Sequence, residues 1–281
     1  MSASSMRFGI CHETFQGSTL AEACRLTREI GYQGIELDPS VLAADPTKIT
    51  ANERAEMRRI LNDSGLQYLG LHNVLKSKSA NYHISTPDLS LRRRSWDYMR
   101  GIVDLAADLG DAPVIVLGSG AQRNAIDDMS PAEASRVITE GLAHLAPHVE
   151  SRGACLLLEP LAPHLSNVFC TLAQTSAAVR QINNPAVQTI LDTHNTAGET
   201  DSIEELVRSH LPVMRHVHVN EMDGSFPGNG DYPFGRLLHA LRDNKYGHWV
   251  SVEIFQFQID GAVMAQRSLS HLRAQLAASS A

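Results

Sequence analysis

The stretch ACLLLEP at residues 154–160 decides the fold of the chain. It is a short apolar run, long enough for a buried strand, and it ends in the carboxylate of Glu159. The same design recurs as VQTILD at 187–192, VMRHVH at 213–218 and WVSVE at 249–253. A buried core accepts a carboxylate only when it is paired, so these strand ends predict a polar site.

Strand-like and helix-like segments alternate along the rest of the chain. The predicted strands cover residues 6–11, 34–37, 67–71, 113–117, 154–158, 187–192, 213–218 and 249–253. Three of the helices between them begin with a capping box, in which Thr19, Thr50 or Ser130 is followed three residues later by glutamate. Eight strand-helix units of similar length are the pattern of a (β/α)₈ barrel.

The sequence therefore predicts an α/β protein, a TIM barrel that forms a single domain over residues 1–281, with residues 1–5 as a disordered tail. The competing architecture is a doubly wound open sheet. Its usual nucleotide-binding signals are absent, because the first turn lacks G-x-G-x-x-G and the chain has no P-loop.

Composition limits the partners. The net charge is −7, which argues against nucleic acid, and no apolar run approaches the roughly 18 residues of a membrane span. The N-terminus lacks the apolar core of a signal peptide, and four cysteines in 281 residues predict reduced thiols. We expect a soluble cytoplasmic protein that acts on a small molecule, and the sequence leaves open whether it forms a homo-oligomer.

Strands five to eight deliver Glu159, Asp192, His218 and Glu253 at their C-terminal ends, which meet at one mouth of a barrel. Three carboxylates and one imidazole predict a divalent metal site, with Mn²⁺ favoured and Mg²⁺, Co²⁺ or Zn²⁺ as alternatives. His216 lies two residues earlier on the same face of the strand and is the alternative to His218 as ligand. An ion pair at the rim is the plainer alternative.

Other strand ends bring further polar side chains to the same rim. Those predicted to bind substrate are His72, Gln122, Arg123, Asn195, Glu221 and Glu36. Gln122 and Arg123 follow a glycine turn and could instead belong to a solvated loop, while Glu36 could pair with a rim arginine.

Several motifs carry a resemblance to a known family. They are FGICHETF at 8–15, GYQGIE at 31–36, LGSGAQR at 117–123, LEP at 158–160, LDTHN at 191–195, HVHVN at 216–220, PGNG at 227–230 and VEIF at 252–255. With them the chain resembles the sugar phosphate isomerase/epimerase superfamily, also called xylose isomerase-like or AP endonuclease family 2 barrels.

The resemblance implies one divalent metal held by Glu159, Asp192, His218 and Glu253, with the two glutamates also acting as the catalytic acid/base pair. The implied activity is isomerisation or epimerisation of a sugar, sugar acid or keto-sugar through a metal-stabilised enediolate. A carbohydrate is the implied substrate.

The chain departs from the ketose 3-epimerase pattern at two positions, since it has DGS at 223–225 in place of an arginine and His164-Leu165 in place of a glutamate. The alternatives are a lyase or dehydratase acting on a keto-sugar or 3-keto-glycoside, and a non-catalytic sugar-binding barrel. An AP endonuclease-type hydrolase needs a histidine-rich trinuclear zinc cluster, whereas Asn195 and Pro233 stand where ligands would be expected.

Overall fold

The computed structural model describes residues 6–278, so the predicted disordered tail at 1–5 lies outside the described residues. Eight parallel strands form a closed barrel in sequence order, with β8 paired to β1. The strands are β1 (Arg7–Cys11), β2 (Gly34–Leu37), β3 (Gln67–Leu71), β4 (Val114–Leu117), β5 (Cys155–Leu158), β6 (Val187–Asp192), β7 (Met214–Val219) and β8 (Trp249–Val252). The (β/α)₈ prediction is confirmed.

Nine α-helices lie within residues 6–278. They are α1 (Leu20–Ile30), α2 (Pro39–Leu42), α3 (Ala51–Ser64), α4 (Leu89–Leu109), α5 (Pro131–Ser151), α6 (Leu172–Ile182), α7 (Ile203–His210), α8 (Phe234–Asp243) and α9 (Gly261–Ala277). The three predicted capping boxes are present, because Thr19, Thr50 and Ser130 each exchange hydrogen bonds with the glutamate three residues on. No helix within residues 6–278 has the length and apolarity needed to cross a bilayer.

Successive side chains along each strand point alternately to the outside and to the inside of the barrel. Outward-facing residues such as Ile35, Leu191 and Val217 join the apolar layer under the helices. Inside the barrel the filling is uneven. On the side of β4, β5 and β6 it is a small apolar cluster that includes Leu157 and Ile190, whereas β2 and β7 point polar side chains inward.

Strands β3 and β4 approach each other closely at Gly70. This residue has a φ of 147°, and a Cβ atom there would overlap the carbonyl oxygen of Val114, its partner in the β3–β4 register. The register between β2 and β3 also shifts between Ile35 and Glu36. Glycine is therefore required for this pairing, because an L side chain is both strained and obstructed here.

Candidate metal centre and active site

Four side chains from the ends of β5 to β8 converge at the C-terminal mouth of the barrel. Glu159, Asp192, His218 and Glu253 each present a ligand atom, and these atoms lie within 4.8 Å of one another. All four residues are buried, and Asp192 stands opposite His218 in the β6–β7 register. The structure thus brings together the ligand set that the strand ends predict.

The three carboxylates are buried and repel one another, which raises the pKa of two of them. Burial and the nearby Glu253 raise the pKa of Glu159 to about 7, and burial and Glu159 raise the pKa of Asp192 well above its usual range. Burial lowers the pKa of His218, but the carboxylates of Glu253 and Glu36 outweigh it and raise that pKa. Buried like charges at this separation favour a bound cation, which would compensate them.

The orientation of His218 suits a metal ligand. Its Nε2–H donates to Glu36 Oε2 at 3.0 Å, while its buried Nδ1 has no hydrogen-bond partner and lies 2.9 Å from Glu253 Oε2. A histidine that gives one ring N–H to a carboxylate can bind a metal through its other nitrogen, which loses its proton when the metal binds. The residues present therefore fit a divalent cation, with Nδ1 as the ligand atom.

Glu36 lies below this centre and is fully buried. Its Oε1 accepts from His216 Nε2 at 2.7 Å, and its Oε2 accepts from His218. Burial would raise the pKa of Glu36, but the two histidines lower it well below its usual range. Both oxygens are thus engaged with histidines inside the barrel, and the predicted contact of Glu36 with substrate stays a prediction. His216 is likewise held by Glu36.

Asn195 contacts two of the candidate ligands. Its Nδ2 donates to Asp192 Oδ2 at 3.0 Å and to Glu159 Oε1 at 3.3 Å, and its Oδ1 accepts from the backbone N–H of Ala162 at 3.2 Å. The backbone bond fixes which end of the amide faces the carboxylates. Asn195 therefore orients Glu159 and Asp192, and its predicted contact with substrate stays a prediction.

Arg123 has no exposed surface. Its Nη1 donates to the carbonyl oxygens of Leu117 at 3.1 Å and Glu159 at 2.7 Å. Burial lowers its pKa to about 10, against the opposing effect of Glu159. Arg123 thus holds the backbone at the ends of β4 and β5, where a substrate hydroxyl was predicted as its partner. Gln122 is half-buried, and its carbonyl accepts from Ile84 N–H.

Glu221 organises the loop after β7. Its Oε1 accepts from the N–H of Gly228 at 2.8 Å, and its Oε2 accepts from the N–H of Tyr232 at 3.0 Å. The residue is buried. Glu221 therefore stabilises its own loop, and its predicted contact with substrate stays a prediction.

His72 lies at the end of β3 beside the candidate acid/base pair. Its Nε2 lies 2.6 Å from Glu13 Oε1 and 4.0 Å from Glu253 Oε1. Burial lowers its pKa, but Glu13 and two further carboxylates outweigh this and raise it to about 9. Glu13 is a site residue that the sequence-based assignment missed. The signal was available, because Glu13 follows β1 as Glu159 follows β5.

Comparison with known proteins agrees with this architecture. A family model described as "Xylose isomerase-like TIM barrel" matches residues 24–275. Fructoselysine 3-epimerase of Shigella flexneri is 23% identical over 96% of this chain and 98% of its own length. 3-Dehydro-D-guloside 4-epimerase of Escherichia coli K12 is 22% identical over 95% and 99% of the two chains.

Solved structures show the same fold. D-Psicose 3-epimerase from Clostridium cellulolyticum H10, determined with D-tagatose, superposes with a TM-score of 0.83 at 20% sequence identity and covers 96% of this chain and 99% of its own. The family model spans the strands that carry all four candidate ligands. The chain belongs to the xylose isomerase-like TIM barrel family.

Proposed function

We propose that the protein is a divalent-metal-dependent isomerase or epimerase of a sugar, keto-sugar or sugar acid. The observation that carries this proposal is the buried set of Glu159, Asp192, His218 and Glu253, in which His218 Nδ1 lies 2.9 Å from Glu253 Oε2 without a hydrogen-bond partner. The names of the full-length relatives, both sugar epimerases, support a carbohydrate substrate.

Glu159, Asp192, His218 and Glu253 would hold the cation, and we propose Mn²⁺ because three of the four donors are carboxylates. When bound there, a divalent cation supplies Lewis-acid polarisation of the substrate carbonyl and fixes the substrate oxygens. A cytoplasmic location is part of the proposal, and it is supported by the four cysteines, which are free thiols.

Glu159 and Glu253 are the proposed acid/base pair. One carboxylate removes the proton next to the carbonyl, and the other returns a proton to the opposite face, which inverts that carbon. Asn195 Nδ2 holds Glu159 Oε1, and His72 stands 4.0 Å from Glu253 Oε1, so each glutamate has a positioning group. The substrate binds between them.

A lyase acting on a keto-sugar or 3-keto-glycoside is the second candidate. The observation that favours it is the Glu13–His72 pair, whose atoms lie 2.6 Å apart on the Glu253 side of the site. Two-base epimerisation by Glu159 and Glu253 does not use this extra acid/base pair, whereas expulsion of a leaving group needs a further proton donor.

Removal of one ligand tests the metal site. Asp192→Ala should abolish stoichiometric Mn²⁺ binding, because it deletes one of four donors and leaves the others too few to replace the hydration of the ion. Elemental analysis and calorimetric titration measure this. Asp63→Ala is the control, since Asp63 is exposed on α3. An Asp192→Ala protein that retains one Mn²⁺ per chain would contradict the assignment.

Deuterium exchange tests the reaction. The Mn²⁺-loaded protein should exchange the proton next to the carbonyl of a ketose or 3-keto-glycoside in D₂O, as observed by NMR. Glu159→Gln and Glu253→Gln should each stop epimerisation, and one of them should retain exchange through the remaining carboxylate. Metal content must be measured in parallel, because each glutamate is also a proposed ligand. Near-normal turnover by either metal-loaded variant would refute the two-base proposal.

A further inference from the structure

A cavity of about 560 Å³ opens beside the candidate active site. It lies between the loops that follow β1, β2, β3 and β8, and we call it the side cleft. Its wall includes Glu13, Val41, Lys76, Phe255 and Phe257. The four candidate metal ligands are not part of this wall. The cleft therefore offers space in addition to that of a sugar bound at the metal centre.

The edge of the side cleft is apolar and exposed. Val41 is 54% exposed, Phe255 is 43% exposed and Phe257 is 37% exposed. Val41 lies in α2, which follows β2, and the two phenylalanines lie in the loop after β8, so two separate segments converge on one cavity. Single exposed apolar residues are ordinary, but large apolar side chains from separate segments around one concavity indicate a ligand-binding surface.

The side cleft adjoins the candidate active site at Glu13. This residue lines the cleft, and its Oε1 lies 2.6 Å from His72 Nε2, which in turn lies 4.0 Å from Glu253 Oε1. Phe255 is anchored, because its N–H donates to Gly224 O at 2.9 Å. The side cleft is therefore the space beside the metal centre toward which we infer that a group attached to the sugar extends.

We propose that the side cleft binds an apolar, ring-bearing substituent of the substrate, so that the enzyme acts on a substituted keto-sugar such as an aryl keto-glycoside rather than on a free ketose. This inference rests on the proposed function. The volume lies within the roughly 300–1,000 Å³ of pockets that enclose drug-sized ligands. Phenylalanine rings at its edge offer offset or edge-to-face contacts to an aromatic ring.

The polar side chains that line the side cleft also suit a ring-bearing substituent. Glu13, Asp38 and Lys76 line the cleft together with the aromatic residues. Carboxylate and ammonium groups bind hydroxyls through hydrogen bonds, so a phenolic or hydroxylated ring matches the mixture better than a plain alkyl chain does. The cleft would thus contribute specificity for the substituent, while the chemistry takes place at Glu159 and Glu253.

Binding of unreactive probes tests the proposal without turnover. Phenyl β-D-glucoside and methyl β-D-glucoside differ only in the substituent, and their affinities for the Mn²⁺-loaded protein can be compared by saturation-transfer NMR. We expect the phenyl glycoside to bind roughly tenfold more tightly. The double variant Val41→Ser, Phe257→Ser should lose this preference and leave the affinity for the methyl glycoside unchanged. Leu89→Ser is the control, because Leu89 is 68% exposed outside the cleft.

Equal affinities of the wild-type protein for the two glycosides would overturn the proposal. So would a phenyl preference that survives in the double variant, or one that is lost equally in Leu89→Ser. A different result would contradict the proposed function, namely the absence of proton exchange in D₂O. Exchange without a phenyl preference removes only the side-cleft proposal, and a phenyl preference without exchange on ketoses or keto-glycosides removes only the isomerase or epimerase proposal.

Discussion

Glu36 supports the candidate metal site from inside the barrel, through its contacts with His216 and His218. It accepts one N–H from His216 and one from His218, and neither oxygen is exposed. The bond to His218 Nε2 fixes the tautomer and the ring plane, so that Nδ1 is left for a metal. Glu36 is therefore a positioning residue, and its effect should be visible in metal affinity.

Glu36→Gln should weaken Mn²⁺ binding by roughly 10- to 100-fold, the usual effect of losing such a supporting carboxylate. The reason is that an amide offers one acceptor oxygen, so one of the two histidine N–H groups would face the NH₂ group. Calorimetric titration measures the affinity. Glu29→Gln is the matched control, because Glu29 pairs with Arg25 on the surface of α1. Unchanged affinity in Glu36→Gln would contradict the positioning role.

The sequence predicts which four side chains converge at the barrel mouth, but not the hydrogen bonds of the residues around them. The four ligand positions follow from a local pattern, a strand ending in a metal-binding side chain. The partners of Glu36, Asn195 and Arg123 come from other strands or from backbone groups, and these partners depend on strand register and on barrel closure. Glu36 was placed at the rim, because the sequence does not reveal how deep a strand residue lies.

At the scale of elements, Gly70 sets the pairing of β3 with β4. Gly70→Ala should lower the free energy of unfolding by more than about 3 kcal/mol, since the new methyl group meets the Val114 carbonyl in a backbone conformation disfavoured for alanine. Urea denaturation measures this. Gly153→Ala is the control, because Gly153 also has positive φ but no heavy atom within 4 Å of its added Cβ. Equal losses in the two variants would rule out the obstruction.

Helix starts were predictable and short elements were not. The boxes at Thr19, Thr50 and Ser130 are encoded within four residues, so no tertiary information is needed. The helix Pro39–Leu42 was missed because it is a single turn without an apolar period, although Asp38 caps it by accepting from Ser40 N–H. Such turns depend on the loops around them.

At the scale of the whole molecule, the N-terminal end of the barrel makes stability depend on pH. His248 Nδ1 lies 2.7 Å from Arg215 Nη1. Burial, Arg215 and Arg7 lower the pKa of His248 to about 4. A lowered folded-state pKa favours neutral histidine, so this stabilisation is complete above pH 6.5 and is lost as the pH falls toward 4.

His248→Asn should therefore flatten the pH dependence of unfolding. Between pH 7 and pH 5 the wild-type protein should lose about 1 kcal/mol more than the variant, a value reduced for the partial exposure of the side chain. Urea midpoints at the two pH values measure it, with His144→Asn, at an exposed position on α5, as control. Parallel pH profiles of the wild-type protein and His248→Asn would remove His248 as the cause.

The hydrogen bonds between Glu36 and β7 also affect whether fragments of the chain can fold on their own. They join residues 180 and 182 positions apart, from strands that belong to opposite halves of the barrel. A fragment containing only β1 to β4 would have to bury this carboxylate with no histidine from β7, or expose it by staying open. We therefore expect neither half-barrel to fold stably alone. The second half must be synthesised before Glu36 can become part of a closed interior.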